Sequence, residues 1–113
     1  MTQPAQLSGK IAWVTGAGSG VGEATAEMMA QAGATVVLTG RRKTLLEGVA
    51  ARIHAAGGRA DVEAGDLMDH ATAPAIVSRM EQRFGRLDIL VNNAGLNITE
   101  RSFSQLTPQG VDH

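Results

Sequence analysis

Short apolar runs alternate along the chain with longer segments of helical periodicity. Ile11-Ala-Trp-Val14 is an unbroken apolar run and reads as a buried strand, with Trp13 in the core and its indole N–H in need of a partner. Val21, Thr25, Met28, Met29 and Ala32 recur at helical spacing, with Met28 and Met29 as packing residues, and Gly33 stands where a helix would end. Thr35-Val-Val-Leu38 reads as a second buried strand, rich in β-branched residues. Leu45, Leu46, Val49 and Ile53 then share one helical face; Thr44 and Glu47 have capping-box spacing, and Gly57-Gly58 closes the element. Arg59 to Ala64 alternates polar and apolar residues, as an edge strand does. Asp69 is placed to cap a third helix, with Ile76, Met80 and Phe84 facing inward and Gly85 at its end. Pro74 within that helix lacks an N–H for the ladder, so the pattern predicts a late start or a kink. Leu87-Asp-Ile-Leu-Val91 reads as a fourth strand buried on both faces, and Thr107-Pro108 as the N-cap and first residue of another helix.

Strand and helix in strict alternation predict an α/β fold. The expected architecture is a Rossmann-type, doubly wound parallel sheet of about four strands with three to four helices, cut before the rest of its sheet. The fourth strand would otherwise be left as a long apolar edge. The 113 residues are therefore expected to be the N-terminal part of a single domain.

Composition narrows the function. The formal charge is −1, without the clustered basic face that nucleic acid requires. No apolar run is long enough to cross a bilayer, and the first residues do not read as a signal peptide. With no cysteine, a cytoplasmic setting is the expectation. His54 and His70 are not at metal-ligand spacing, so no metal site is expected.

The chemistry is concentrated where the first strand ends, in V-T-G-A-G-S-G-V-G, residues 14–22. The spacing is not G-x-G-x-x-G. It is T-G-x-x-x-G-x-G, on Thr15, Gly16, Gly20 and Gly22. Between a strand and a helix, such glycines allow a sharp turn, a close approach of backbone to phosphate and tight helix packing. The N–H groups at the helix start then face an anion. Ser19 and Val21 lie in the same loop, and Gly18 is left for loop conformation or close approach to the ligand. The phosphate-loop pattern of nucleotide triphosphatases is absent.

With this motif the chain resembles the short-chain dehydrogenase/reductase family. Asn92-Asn93-Ala94-Gly95 matches that family's second motif, and Asp66-Leu67 its acidic position beside the adenine. Phe84-Gly85-Arg86-Leu87-Asp88 is also similar, and the matches run collinearly from Leu7 to Asp112. The resemblance implies a 1–113 segment of an NAD(P)-binding Rossmann domain in an oxidoreductase that moves hydride between nicotinamide and a carbonyl/alcohol substrate. Cofactor contacts are implied for Gly16, Ser19, Gly20, Val21, Gly22, Asp66, Leu67, Asn93, Ala94 and Gly95, with Asn92 tying strands together. The family's catalytic Ser, Tyr and Lys are implied beyond residue 113, since the chain holds no tyrosine. The chain alone is expected to be inactive, and the intact protein to be a tetramer or dimer. A dinucleotide-binding module without chemistry is the alternative.

The second strand runs into Thr39-Gly40-Arg41-Arg42. An acidic residue at that strand end holds the ribose 2′-OH of NAD, whereas an arginine accommodates the 2′-phosphate of NADP. Gly40 stands in place of the acid, and Arg41 and Arg42 follow, so NADP(H) is favoured over NAD(H).

Overall fold

The apolar runs become the strands of one parallel sheet. In a computed structural model, which describes residues 6–93, the elements in chain order are β1 (Ile11–Thr15), α1 (Gly20–Gln31), β2 (Thr35–Thr39), α2 (Lys43–Ala55), β3 (Arg59–Val62), α3 (Thr72–Phe84) and β4 (Ile89–Asn92). The strand order is β3-β2-β1-β4, all pairs parallel. This is the expected Rossmann-type arrangement, with four strands and three helices among the described residues. The strand ends lie level: Thr15 pairs in register with Thr39 on one side and Asn92 on the other. Thr107-Pro108, Ala94 and Gly95 lie outside the described residues.

Each strand sends alternate residues to two cores, as its pleat dictates. On one face Ala12, Val14, Val36 and Leu38 pack against α1 and against Leu46, Val49 and Ile53 of α2. On the other, Ile11, Trp13 and Val37 pack against Ile76, Val77 and Met80 of α3. Trp13 is fully buried, and its indole N–H donates to Thr39 Oγ1 at 2.9 Å, which answers the need for a partner. Edge strand β3 is tied to α3 by an Arg83–Asp61 ion pair, and the residue that follows it by Arg79–Glu63, both at 2.8 Å.

Five expectations are corrected. The inner face of α1 is Gly22, Ala26 and Ala30; of the expected row Met29 does pack against the core, at its border, while Val21 and Met28 are 72% and 69% exposed. The helix lies so close to the sheet that its buried positions are all glycine or alanine. The Thr44–Glu47 capping box does not form: α2 is capped at Arg42 without a side-chain bond, and Thr44 already lies inside the helix. Asp69 does not cap α3; its Oδ1 accepts from Ala71 N at 3.0 Å in a turn, and the helix begins at Thr72. Pro74 is thereby the third helical residue, where an N–H has no intrahelical partner, so of the two expectations the late start holds. The third strand ends at Val62 rather than Ala64. Finally, β4 is half-buried rather than buried on both faces, because β1 is its only partner among the described residues.

Candidate functional site

Where β1 ends, the chain turns back on itself. Gly16 adopts φ +62°, a left-handed conformation that a side chain disfavours. The loop then reaches α1 through Ser19, which caps it in an extended conformation without using its hydroxyl. Gly22 explains the tightness: a Cβ there would lie 2.0 Å from the Gly16 carbonyl oxygen. The first turn of α1 is thus pressed onto the loop, and its N–H groups, unpaired within the helix, open at the carboxyl ends of the strands. Gly20, at φ +61°, has open space where a Cβ would be.

Three loops are joined there by backbone hydrogen bonds. Ala17 N donates to Thr39 O at 3.1 Å, Glu63 N to Leu38 O at 2.9 Å, and Gly65 N to Gly40 O at 2.9 Å. Between the loops run two adjoining cavities of about 310 and 420 Å³, which share Gly16, Gly40 and Arg41. The first is bordered by Gly65, Asp66, Leu67 and Met68, the second by Gly18, Ser19, Arg42, Leu45 and Leu46. Together they make one groove, walled by apolar and glycine surface and flanked by two guanidinium groups. Arg41 and Arg42 are exposed and make no ion pair among the described residues. Such a groove can hold a flat apolar group beside a phosphate.

The structure gathers Gly16, Ser19, Arg41, Arg42, Asp66 and Leu67 along this groove. Gly20, Val21 and Gly22 open α1 beside it, and Asn93 follows β4 without lining either cavity. Asp66 is partly engaged already, its Oδ1 accepting from Met68 N at 2.9 Å. Asn92 does tie strands: its Oδ1 accepts from Thr15 Oγ1 at 2.9 Å, although Asn92 itself is exposed. Gly18 has a job that its place in the loop did not reveal. A Cβ there would lie 3.3 Å from Leu45 Cβ, so the bare backbone lets α2 close on the loop. Met68, 70% exposed at the rim, was also missed; its only signal was an apolar residue in a polar turn.

A further cavity, of about 260 Å³, lies between the carboxyl ends of α1 and α2. Its charged lining residues, Arg52 and Glu27, are bonded to each other at 3.0 Å, and no residue of the glycine loop reaches it. Among the described residues no group of His, Asp and Glu could hold a metal ion, and no helix is long and apolar enough to cross a membrane.

The parallel sheet with a glycine loop at its carboxyl ends defines a Rossmann-type α/β protein. The short chain dehydrogenase family model matches residues 10–113, and the chain belongs to that family. It is 45% identical over 96 residues to a fatty acyl-CoA reductase of Mycobacterium tuberculosis, covering 85% of this chain and 33% of that protein. A 3-oxoacyl-[acyl-carrier-protein] reductase of Thermotoga maritima is 36% identical over 91 residues, covering 80% of this chain and 37% of that one. Among solved structures, a metagenomic short-chain oxidoreductase in complex with NADP superposes with a TM-score of 0.78 at 44% identity, covering 80% of this chain and 41% of that chain. The chain thus spans well under half the length of these relatives.

Proposed function

We propose that this chain is the dinucleotide-binding part of an NADP(H)-dependent short-chain oxidoreductase whose intact form transfers hydride between nicotinamide and a small carbonyl/alcohol substrate. The observation that carries the choice of cofactor is the end of β2. Gly40 leaves the groove without a carboxylate at the strand end, and Arg41 and Arg42 stand beside it with no ion pair among the described residues. A 2′-phosphate entering on the Ser19 and Arg42 side meets positive charge, and no acid lines that cavity. In this reading the pyrophosphate lies against Gly16, Ser19, Gly20, Val21 and Gly22 at the start of α1, and the adenine beside Asp66 and Leu67. The resemblance assigns Asn93, Ala94 and Gly95 to cofactor contact, the last two outside the described residues. The NADP complex of the metagenomic relative supports nicotinamide dinucleotide binding by this type of domain.

The 113 residues contain no tyrosine, and the proton-transfer group is assigned to polypeptide that follows them in the intact, oligomeric protein. The chain alone binds cofactor and does not turn over. Titration with NADPH and NADH tests the reading: NADPH binds more tightly. Equal or tighter binding of NADH overturns the NADP assignment, and measurable carbonyl reduction by the 113 residues overturns the division of labour. A binding module without chemistry has no separate observation in its favour.

A further inference from the structure

The joints that frame the groove meet at the end of β2, and one buried side chain stands beneath them. Thr39 is fully buried. Its carbonyl takes the Ala17 N–H of the glycine loop, and its neighbours Leu38 and Gly40 take the Glu63 and Gly65 N–H groups of the loop after β3. Its hydroxyl lies on the opposite, α3 side of the sheet and accepts the Trp13 indole N–H at 2.9 Å. Trp13 has no accessible surface and is packed among Val37, Ile76, Val77 and Met80. A bicyclic ring in so dense a setting cannot swing, so its N–H is a fixed point inside the molecule.

The described residues bury only two polar side chains completely, Thr15 and Thr39, and they are register partners in neighbouring strands. Thr15 holds Asn92 at the end of β4; Thr39 holds Trp13. Both hydroxyls sit at the level where the sheet gives way to the loops of the groove.

The geometry points to Thr39 as a positioning residue for dinucleotide binding. Its hydroxyl, locked to Trp13, fixes the last residue of β2, and thereby the seat of the glycine loop on its carbonyl and the departure of Gly40 and Arg41. This rests on the dinucleotide reading of the groove. Valine at 39 keeps the branched shape but presents a methyl group to the indole N–H. A buried donor without an acceptor forces a rearrangement. Of the two partners the strand end yields more readily, since beyond it lie only loops.

The test uses the 113-residue chain with NADPH as the probe. Thr39→Val weakens NADPH binding by about tenfold, whereas Thr39→Ser, which keeps the hydroxyl, binds as the parent does. Trp13→Phe breaks the same bond from the other side and weakens binding similarly, and the double variant is no worse than either single one. A readout without ligand accompanies it: amide exchange at Ala17 and Gly65 quickens in Thr39→Val relative to Val14 and Val36 in the same molecule. Should Thr39→Val fail to fold, the Ser and Phe variants carry the comparison. A folded Thr39→Val with lowered melting temperature but parental affinity and unchanged exchange at Ala17 and Gly65 overturns the positioning role alone. Failure of the parent chain to bind NADPH overturns the dinucleotide reading and the positioning role with it.

Discussion

At the amino ends of the strands, the Ile11 N–H is held by the Asp88 carboxylate at 2.8 Å, and the Asp88 N–H returns to Ile11 O at 2.9 Å. Arg86 closes the cluster with a 2.7 Å bond to the same carboxylate. At the carboxyl ends the opposite holds. Gly16, Gly18 and Gly40 keep side chains out of the space between the loops, and two arginines face it without an ion pair among the described residues. At one end a carboxylate has its partners at hand; at the other, two guanidinium groups border one groove without an ion pair among the described residues. The contrast teaches where to look for function in a symmetric-looking sheet. Both ends hold cavities, and the carboxyl-end groove differs in having two adjacent guanidinium groups, Arg41 and Arg42, along its wall, where the amino-end cavity beside Gly58 has Arg59 alone.

The comparison breaks most readily at Gly22. Alanine there meets the Gly16 carbonyl at 2.0 Å, so the loop or the helix must move. Gly22→Ala costs about 3 kcal/mol of stability, read by urea denaturation, and abolishes nucleotide binding. A variant with parental stability would show that the close approach is not a constraint.

Next in size is Arg41→Ala. Removing a charged donor from a phosphate costs about 2 kcal/mol, so NADPH affinity falls by more than tenfold while NADH affinity and the melting temperature hold. An equal loss for both nucleotides would assign Arg41 a general electrostatic role.

The closed end is probed by Asp88→Asn. Burial pushes the Asp88 carboxyl up, but the bonds from Arg86 and the Ile11 N–H outweigh it and hold the group below its ordinary value of 3.8. A depressed carboxylate contributes stability that is complete above 3.8 and is lost as pH falls through its lowered folded value. Asp88→Asn therefore costs about 1 kcal/mol at neutral pH. The difference from the parent closes below pH 3.8, in thermal melts across the acid range, and nucleotide affinity at pH 7 does not change.

The smallest effect has the opposite sign. Gly48, inside α2 and away from both ends, has nothing within 4 Å of where a Cβ would stand. Gly48→Ala stabilises by about 0.5–1 kcal/mol through the helix preference alone. Against Gly22→Ala it separates the conformational cost of glycine from the steric need for it.

Much of the fold was legible because its signals are local. The runs at Ile11 and Thr35 gave strands, since a central parallel strand needs apolar residues on both faces, and the run from Leu87 gave β4, which begins at Ile89. T-G-x-x-x-G-x-G located the groove, because a turn at φ +62° and a close approach each demand glycine. What was not legible depended on distance between elements. The capping box at Thr44 satisfied the spacing and failed because α2 had already begun at Lys43. Gly18 looked spare until α2 was seen to close on it.

The sequence by itself determined the alternation of strand and helix, the parallel sheet that follows from it, and the grouping of glycines and arginines where strands end. These follow from periodicity and backbone sterics, which act within a few residues. Tertiary structure alone decided that α1 buries Gly22, Ala26 and Ala30 while Val21 and Met28 face out, that β4 is half-covered, and that Trp13 finds its acceptor in Thr39, twenty-six residues away. The reason is common to all three. A pattern states which residues share a face, but only the approach of a neighbouring element sets how much room that face has and which buried polar groups meet.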